Sequence, residues 1–139
     1  MNKQNLIDFT RYKLPVIVWG LTIIGVSSIP DFPPINTEKN NLDKLAHLIE
    51  YGIFTYLLAR AFYFSKKNFF RRKAIILTPF ISVIFAAGDE IHQLAIPGRF
   101  GSLNDFFADL GGILLSLFLF IKIVKPFSYN ENNQKHRDF

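Results

Sequence analysis

The chain has 139 residues, with 16 lysines and arginines against 11 aspartates and glutamates, a formal net charge of +5, and no cysteine. Its length suits one domain, and the absence of cysteine excludes disulfides, thiolate metal sites and a cysteine nucleophile. Half of the residues are hydrophobic and 16% are aromatic, which excludes a disordered or collagen-like chain. The mean hydropathy of +0.21 lies between that of a soluble domain and that of a membrane protein, so the distribution along the chain must decide the class.

The first apolar segment, residues 14–29, carries no charge. At a rise of ~1.5 Å per residue, it is long enough as a helix to span a thin bilayer. A cleavable signal peptide is the competing interpretation, because basic residues precede the apolar stretch and Val26-Ser27-Ser28 could form a cleavage site. The nearby Pro30 and the length of the stretch favour a retained span.

Three further apolar segments follow at residues 45–64, 74–96 and 106–124. Each has about 20 residues, the length that a ~30 Å hydrocarbon layer requires. A soluble bundle would show apolar stripes with polar opposite faces, whereas these segments are apolar all round. The sequence therefore predicts an all-α protein: a polytopic membrane four-helix bundle at residues 14–124, with polar tails at 1–13 and 125–139 and no regular structure in the second tail.

Basic residues are retained on the cytoplasmic side of membrane proteins, so their distribution predicts the orientation. They gather before the first span, in the turn after the second span, and in the C-terminal tail. We therefore predict a multi-pass protein of the cell membrane with both termini in the cytoplasm and with residues 30–42 and 97–104 outside. The basic residues assigned to the cytoplasmic side are Lys3, Arg11, Lys13, Arg60, Lys66, Lys67, Arg71, Arg72, Lys73, Lys122, Lys125, Lys135 and Arg137.

Polar residues of the spans gather at the ends that face outside in this orientation. Helical spacings place residues 43, 47, 50 and 51 on one face of the second span, residues 89, 92 and 93 on one face of the third, and residues 105, 109 and 112 on one face of the fourth. Charges within a span cost ~2.5 to 3.5 kcal/mol each on insertion scales, and they mark functional sites unless they pair. We define the polar cluster as Ser28, Asp43, Lys44, His47, Glu50, Tyr51, Asp89, Glu90, His92, Gln93, Arg99, Ser102, Asp105 and Asp109.

The polar cluster is acidic. It has six acidic and two basic side chains, so its formal charge is −4 with both histidines neutral. Sheltered from water, such a cluster must protonate some carboxylates, pair them with Lys44 and Arg99, or bind a cation. Structural interpretations exist for single members, such as Asp105 as a helix N-cap. Arg99 either neutralises the acids or uses its fork to bind a phosphate or carboxylate ligand.

Each member of the cluster has a candidate role. Histidine and carboxylates suit acid/base chemistry, and carboxylates suit a divalent cation. The catalytic candidates are His47, Glu50, Asp89, Glu90 and Asp109. The metal candidates are Asp89, Asp105 and Asp109. The ligand-binding candidates are Ser28, Asp43, Lys44, Tyr51, His92, Gln93, Arg99, Ser102 and Asp105.

Two motifs in these segments resemble the VanZ-like family of small bacterial membrane proteins, and Ser27-Ser28-Ile29-Pro30 resembles that family's turn after the first span. The resemblance covers roughly residues 14–124 and implies a four-helix architecture in a bacterial cell membrane. One departure is Asp109, where many members carry asparagine. The motifs are Asp43-Lys44-x-x-His47-x-x-Glu50-Tyr51 and Asp89-Glu90-x-His92-Gln93-x-x-x-Pro97-x-Arg99-x-x-Ser102-x-x-Asp105-x-x-x-Asp109-x-x-Gly112.

The family's name comes from resistance to the glycopeptide antibiotic teicoplanin, and the resemblance implies no settled activity. The cluster favours a site that binds or acts on a lipid or wall-precursor headgroup of the cell envelope, phosphate-containing headgroups included. If it is catalytic, acid/base or metal-assisted hydrolysis or transfer is expected. The alternative is a non-enzymatic module that binds or shields the envelope, or a subunit of a partner protein. Expected partners are membrane lipids, a lipid-linked precursor or a glycopeptide, and no nucleic acid.

Overall fold

The computed structural model describes residues 3–30, 41–97, 99 and 101–135. These residues form helices and no strand, which confirms the all-α prediction. Residues 31–40, most of the predicted outer loop at 30–42, lie outside the described residues. The helices are α1, Lys3–Ser27; α2, Asn41–Tyr63; α3, Asn68–Leu94; and α4, Leu103–Lys135.

All four helices are longer than the predicted spans, and α1 and α4 exceed them most. α1 begins at Lys3 and passes through a π-helical turn, Phe9–Lys13, before the apolar stretch begins. At the end of this turn the Leu14 N–H donates to the Phe9 carbonyl. Pro15 follows, and its ring cannot accommodate a normal α-helical carbonyl four residues earlier. At the other terminus α4 is helical to Lys135, beyond the predicted boundary at 124, because no glycine or proline follows Pro126 to interrupt it.

The packing of α3 shows which environment surrounds the helices. Its buried face is small and polar, with Thr78 and Ser82 fully buried, whereas Ile76 and Phe80 are each 64% exposed. A protein surrounded by water would place these apolar side chains inside, and lipid is the solvent that favours the observed arrangement. Three helical stretches are long and apolar enough to cross a membrane: Lys3–Ser27, Asn68–Leu94 and Leu103–Ile123.

α2 is not among these three, because its polar residues reduce its hydropathy. It is also the central helix, because its packing with the other three is the most extensive, above all with α4; within the part of the chain that the structure describes, α1 and α4 do not approach each other closely. Its side chains Tyr51, Phe54 and Leu58 form the core with residues of the other helices. A helix enclosed by neighbours can carry polar residues that lipid would reject.

The end of the helices that contains the start of α1 and the turn between α2 and α3 is rich in lysine and arginine, and we call it the basic end. Lys66 of this turn lies 2.6 Å from the Asp8 carboxylate and donates to the Asn5 side chain at 2.9 Å. The ring of Tyr12 stacks on Phe64 at 5.0 Å between centroids. These contacts hold the start of α1 against the turn.

Candidate functional site

The opposite end, which we call the polar end, brings together the last turn of α1, the first turns of α2 and α4, and the last turns of α3. Ser28 Oγ lies 2.8 Å from His92 Nε2, which joins α1 to α3. Lys44 Nζ lies 3.6 Å from the Asp105 carboxylate, which joins α2 to α4. The four segments that carry the polar cluster therefore lie at one end of the folded chain.

The centre of this end is a buried pair between α2 and α4. His47 Nδ1 lies 3.0 Å from Asp109 Oδ1, and Asp109 is fully buried. Glu90 of α3 completes the group, because one ligand atom from each of the three side chains lies within 4.8 Å of the other two. Three helices therefore supply an imidazole and two carboxylates to one small volume.

The start of α4 positions Glu90. The Ser102 N–H donates to Glu90 Oε2 at 2.7 Å, and the Ser102 hydroxyl accepts from the Asn104 N–H at 3.2 Å. Ser102 is therefore the N-cap of α4, a role for which the sequence indicated Asp105. The backbone at Gly101 passes close to α3, since a Cβ there would lie 2.7 Å from the Glu90 carbonyl oxygen.

Asp89 lies beside this centre and has other neighbours. Gln93 Nε2 donates to its Oδ2 at 3.2 Å, and the buried hydroxyl of Tyr51 lies close to the carboxylate without a hydrogen bond of normal geometry. Beneath Tyr51, the rings of Phe54 and Phe85 stack at 4.6 Å. The Asp89 carboxylate is therefore surrounded by the Gln93 amide, the Tyr51 hydroxyl and aromatic rings.

A second set of three possible ligands lies nearer the surface. Ligand atoms of Asp43, His47 and Asp105 also lie within 4.8 Å of one another, but Asp43 is exposed. Among the described residues, the predicted metal set of Asp89, Asp105 and Asp109 does not come together as one group. Asp105 belongs to one set, Asp109 to the other, and Asp89 to neither.

Arg99 reaches from the loop between α3 and α4 to the end of α1. Its Nη2 donates to the Val26 carbonyl at 2.8 Å and its Nε to the Ile29 carbonyl at 3.3 Å. The Val26 carbonyl also accepts from the Ile29 N–H at 3.2 Å, and a cation at this end of α1 complements the negative end of the helix dipole. Arg99 therefore ties α1 to the polar end.

Glu50 joins α1 to the cluster through its backbone. Trp19 Nε1 donates to the Glu50 carbonyl at 3.0 Å, while the half-buried Glu50 side chain lies within the electrostatic field of His47 and Asp89. The role of Trp19 was not evident from the sequence, where it reads as an ordinary aromatic residue of an apolar span.

Buried oxygens without a hydrogen-bond partner mark the cluster as incomplete within the described residues. Four carboxylate oxygens have no such partner: Asp89 Oδ1, Glu90 Oε1, Asp105 Oδ1 and Asp109 Oδ2. Asp105 Oδ1 has its ion pair with Lys44, whereas Asp109 is fully buried. Orphaned buried acceptors are rare in folded proteins, so a water molecule, a proton, a cation or a ligand group is expected to satisfy them.

A lateral opening between α1 and α3 reaches the cluster. A cavity of about 370 Å³ is lined by Ile24, Ile84, Phe85 and Gly88, with Asp89 and His92 at its polar side. The apolar lining residues were not identified from the sequence, because nothing distinguishes them from other residues of a span. The opening lies on an otherwise apolar surface.

Apolar helices that are compatible with several passes through a membrane, together with a buried polar cluster at one end, define the class as a helical membrane protein. The chain matches the model of the VanZ/LLP1 family over residues 3–125 and belongs to that family, which confirms the resemblance seen in its motifs. No match was found among curated proteins or among solved structures.

Proposed function

We propose that this protein binds or modifies a lipid-linked headgroup of the cell envelope at its polar end. The observation that carries the proposal is a buried acidic and histidine-containing cluster joined to a lateral apolar cavity. A lipid-linked ligand has the same two parts: its headgroup suits the cluster, and its chain suits the surface between α1 and α3. The resistance to glycopeptides that the family name implies would follow from an altered precursor or envelope surface.

The proposal includes the orientation of the chain. We infer that α2 crosses the membrane with the other three helices, because it is enclosed by them and has 23 residues. A basic end in the cytoplasm agrees with the retention of lysine and arginine on that side. Both termini then lie in the cytoplasm of the cell, and the polar end faces outside.

Cysteine labelling in intact cells tests this orientation. The chain has no cysteine, so single variants carry no background. Asn104 and Lys67 are exposed at the polar and basic ends. We expect an impermeant maleimide to label Asn104→Cys in intact cells and Lys67→Cys only after lysis. The reverse pattern, or labelling of both in intact cells, contradicts the orientation.

The negative charge of the cluster limits which headgroups can bind there. Six acids repel a bare phosphate unless a cation accompanies it, whereas a headgroup with an amine meets carboxylates directly. A non-enzymatic binding role uses the same residues and differs only in turnover, so the experiment must measure binding and product separately.

The protein in nanodiscs is incubated with a lipid phosphomonoester, a polyprenyl diphosphate or an aminated lipid, and lipid binding and phosphate release are measured. We expect one of these lipids to bind and Asp89→Asn to weaken its binding about tenfold, because a hydrogen bond to a charged group contributes about 1.5 to 3 kcal/mol. Asp8→Asn, at the basic end, is the matched control and should bind normally.

The outcomes separate the two roles. Phosphate release that is lost in Asp89→Asn supports an enzyme, while binding without release supports a recognition module. If none of the three lipids binds, or if Asp89→Asn and Asp8→Asn bind as the wild type does, the headgroup proposal is wrong.

A further inference from the structure

We propose that His47, Glu90 and Asp109 form a binding site for a first-row divalent cation, Zn²⁺ or Mn²⁺. This inference deepens the proposed function and rests on it for its biological use, since the cation would be the group that meets the headgroup. It differs from the set that the sequence suggested, because it includes Glu90 and His47 and omits Asp89 and Asp105.

The ligand atoms lie close enough to converge on one ion after small side-chain movements. One ligand atom from each side chain lies within 4.8 Å of the others, and His47 Nδ1 lies 3.0 Å from Asp109 Oδ1. Two ligands on bonds of about 2.1 Å that meet at about 90° are about 3 Å apart. The spacing of this pair is therefore that of two adjacent ligands around one ion, although it also allows a hydrogen bond.

Unpartnered buried oxygens independently indicate a ligand. Asp109 is fully buried and Glu90 is 9% exposed, and each keeps one carboxylate oxygen, Oδ2 and Oε1 respectively, without a hydrogen-bond partner. Because a buried carboxylate without a partner is costly, these oxygens favour a positive group beside them. A divalent cation would balance both charges at once.

The surroundings hold the ligands in place. The Ser102 N–H binds Glu90 Oε2 and leaves Oε1 available, in the way that outer hydrogen bonds orient metal-bound carboxylates. The competing set of Asp43, His47 and Asp105 is weaker, because Asp43 is exposed and Lys44 already lies 3.6 Å from Asp105.

The ligand types select the cation. One imidazole with two carboxylates suits Zn²⁺ or Mn²⁺, whereas Ca²⁺ and Mg²⁺ prefer ligand shells of oxygen only. Three protein ligands leave at least one coordination position open, as in catalytic metal sites. A phosphate oxygen could take that position, which would let an acidic cluster receive an anionic headgroup.

Metal binding to the purified full-length protein tests the inference. After chelation and removal of the chelator, Zn²⁺ and Mn²⁺ are titrated and the bound metal is measured by elemental analysis. We expect one equivalent, with the affinity reduced at least about tenfold in His47→Ala, Glu90→Gln and Asp109→Asn. Asp8→Asn, at the basic end, is expected to bind within about twofold of the wild type.

A second measurement covers variants that fail to fold. Co²⁺ added to the wild type should give a visible absorption spectrum of nitrogen and oxygen ligation, and excess Zn²⁺ should abolish it. No bound equivalent in the wild type, or equal affinity in all three ligand variants that fold, overturns the inference. Headgroup binding that persists in EDTA overturns the proposed use of the cation and leaves the proposed function intact. One bound metal equivalent without binding of any headgroup supports the cation site and contradicts the proposed function.

Discussion

Gly112→Ala is expected to yield a protein that is strongly destabilised or does not accumulate. A Cβ at Gly112 would overlap the Leu48 carbonyl oxygen and would also lie 2.9 Å from the Leu48 carbonyl carbon and 3.0 Å from the Gly52 nitrogen. All three are backbone atoms of α2, so no side-chain rotation can relieve the contact. α2 and α4, the most extensively packed pair of helices, must move apart.

The expected loss is at the upper end of the range for overpacking, about 3 kcal/mol, which lowers the Tm by about 10 °C. The measurement is thermal unfolding of the protein purified in one detergent, together with the monodisperse fraction. Gly111→Ala is a matched control on the same helix, because its Cβ would lie 3.7 Å from a Leu48 methyl group. Alanine there also gains helix propensity of up to about 1 kcal/mol. Equal Tm values for the two variants would contradict the role of Gly112.

The same substitution should also damage the polar end. Asp109 lies one turn before Gly112 on α4, and His47 directly precedes Leu48 on α2. Separation of the two helices at Leu48 therefore lengthens the 3.0 Å contact between His47 and Asp109. We expect the folded fraction of Gly112→Ala to lose cation affinity as the ligand variants do, although Gly112 has no side chain that could bind the cation.

The helices were predictable because apolar residues on every face leave few alternatives to spans. The residues at which the helices begin and end were harder to predict. The sequence contains no sign that α1 begins at Lys3, since the turns before Leu14 carry polar and charged residues that suit a tail equally well. Glycines such as Gly52 and Gly112 permit close packing of helices, but which backbone they meet depends on how two helices are rotated about their axes.

Membership of the polar cluster was predictable for a similar reason: helical spacing puts residues 43, 47, 50 and 51 on one face, and antiparallel helices bring such faces to the same end. The pairings were not predictable. Asp89 and Glu90 are adjacent in sequence, yet on a helix they point about 100° apart, and only the packing of α3 turns Glu90 toward His47. The contact of Arg99 with the carbonyls at the end of α1 likewise depends on the path of the loop between α3 and α4.

A double-mutant cycle on His47 and Asp109 is expected to show strong coupling in metal-free buffer. Each single alanine variant leaves the other group without the hydrogen-bond partner that it has among the described residues, and Asp109 is fully buried. Breaking a buried charged pair by removing one partner costs about 3 to 5 kcal/mol. The double variant removes both groups, so it should lose less stability than the sum of the single variants.

The size of the coupling distinguishes a buried site from a surface ion pair. We expect about 2 kcal/mol from the unfolding free energies of the His47→Ala and Asp109→Ala cycle. Lys44 and Asp105 provide the matched control, because they join the same two helices at 3.6 Å with the Lys44 side chain 42% exposed, and exposed pairs contribute below about 1 kcal/mol. Additive effects at His47 and Asp109 would mean that water reaches the pair, and a site open to water would need no cation to balance its carboxylates.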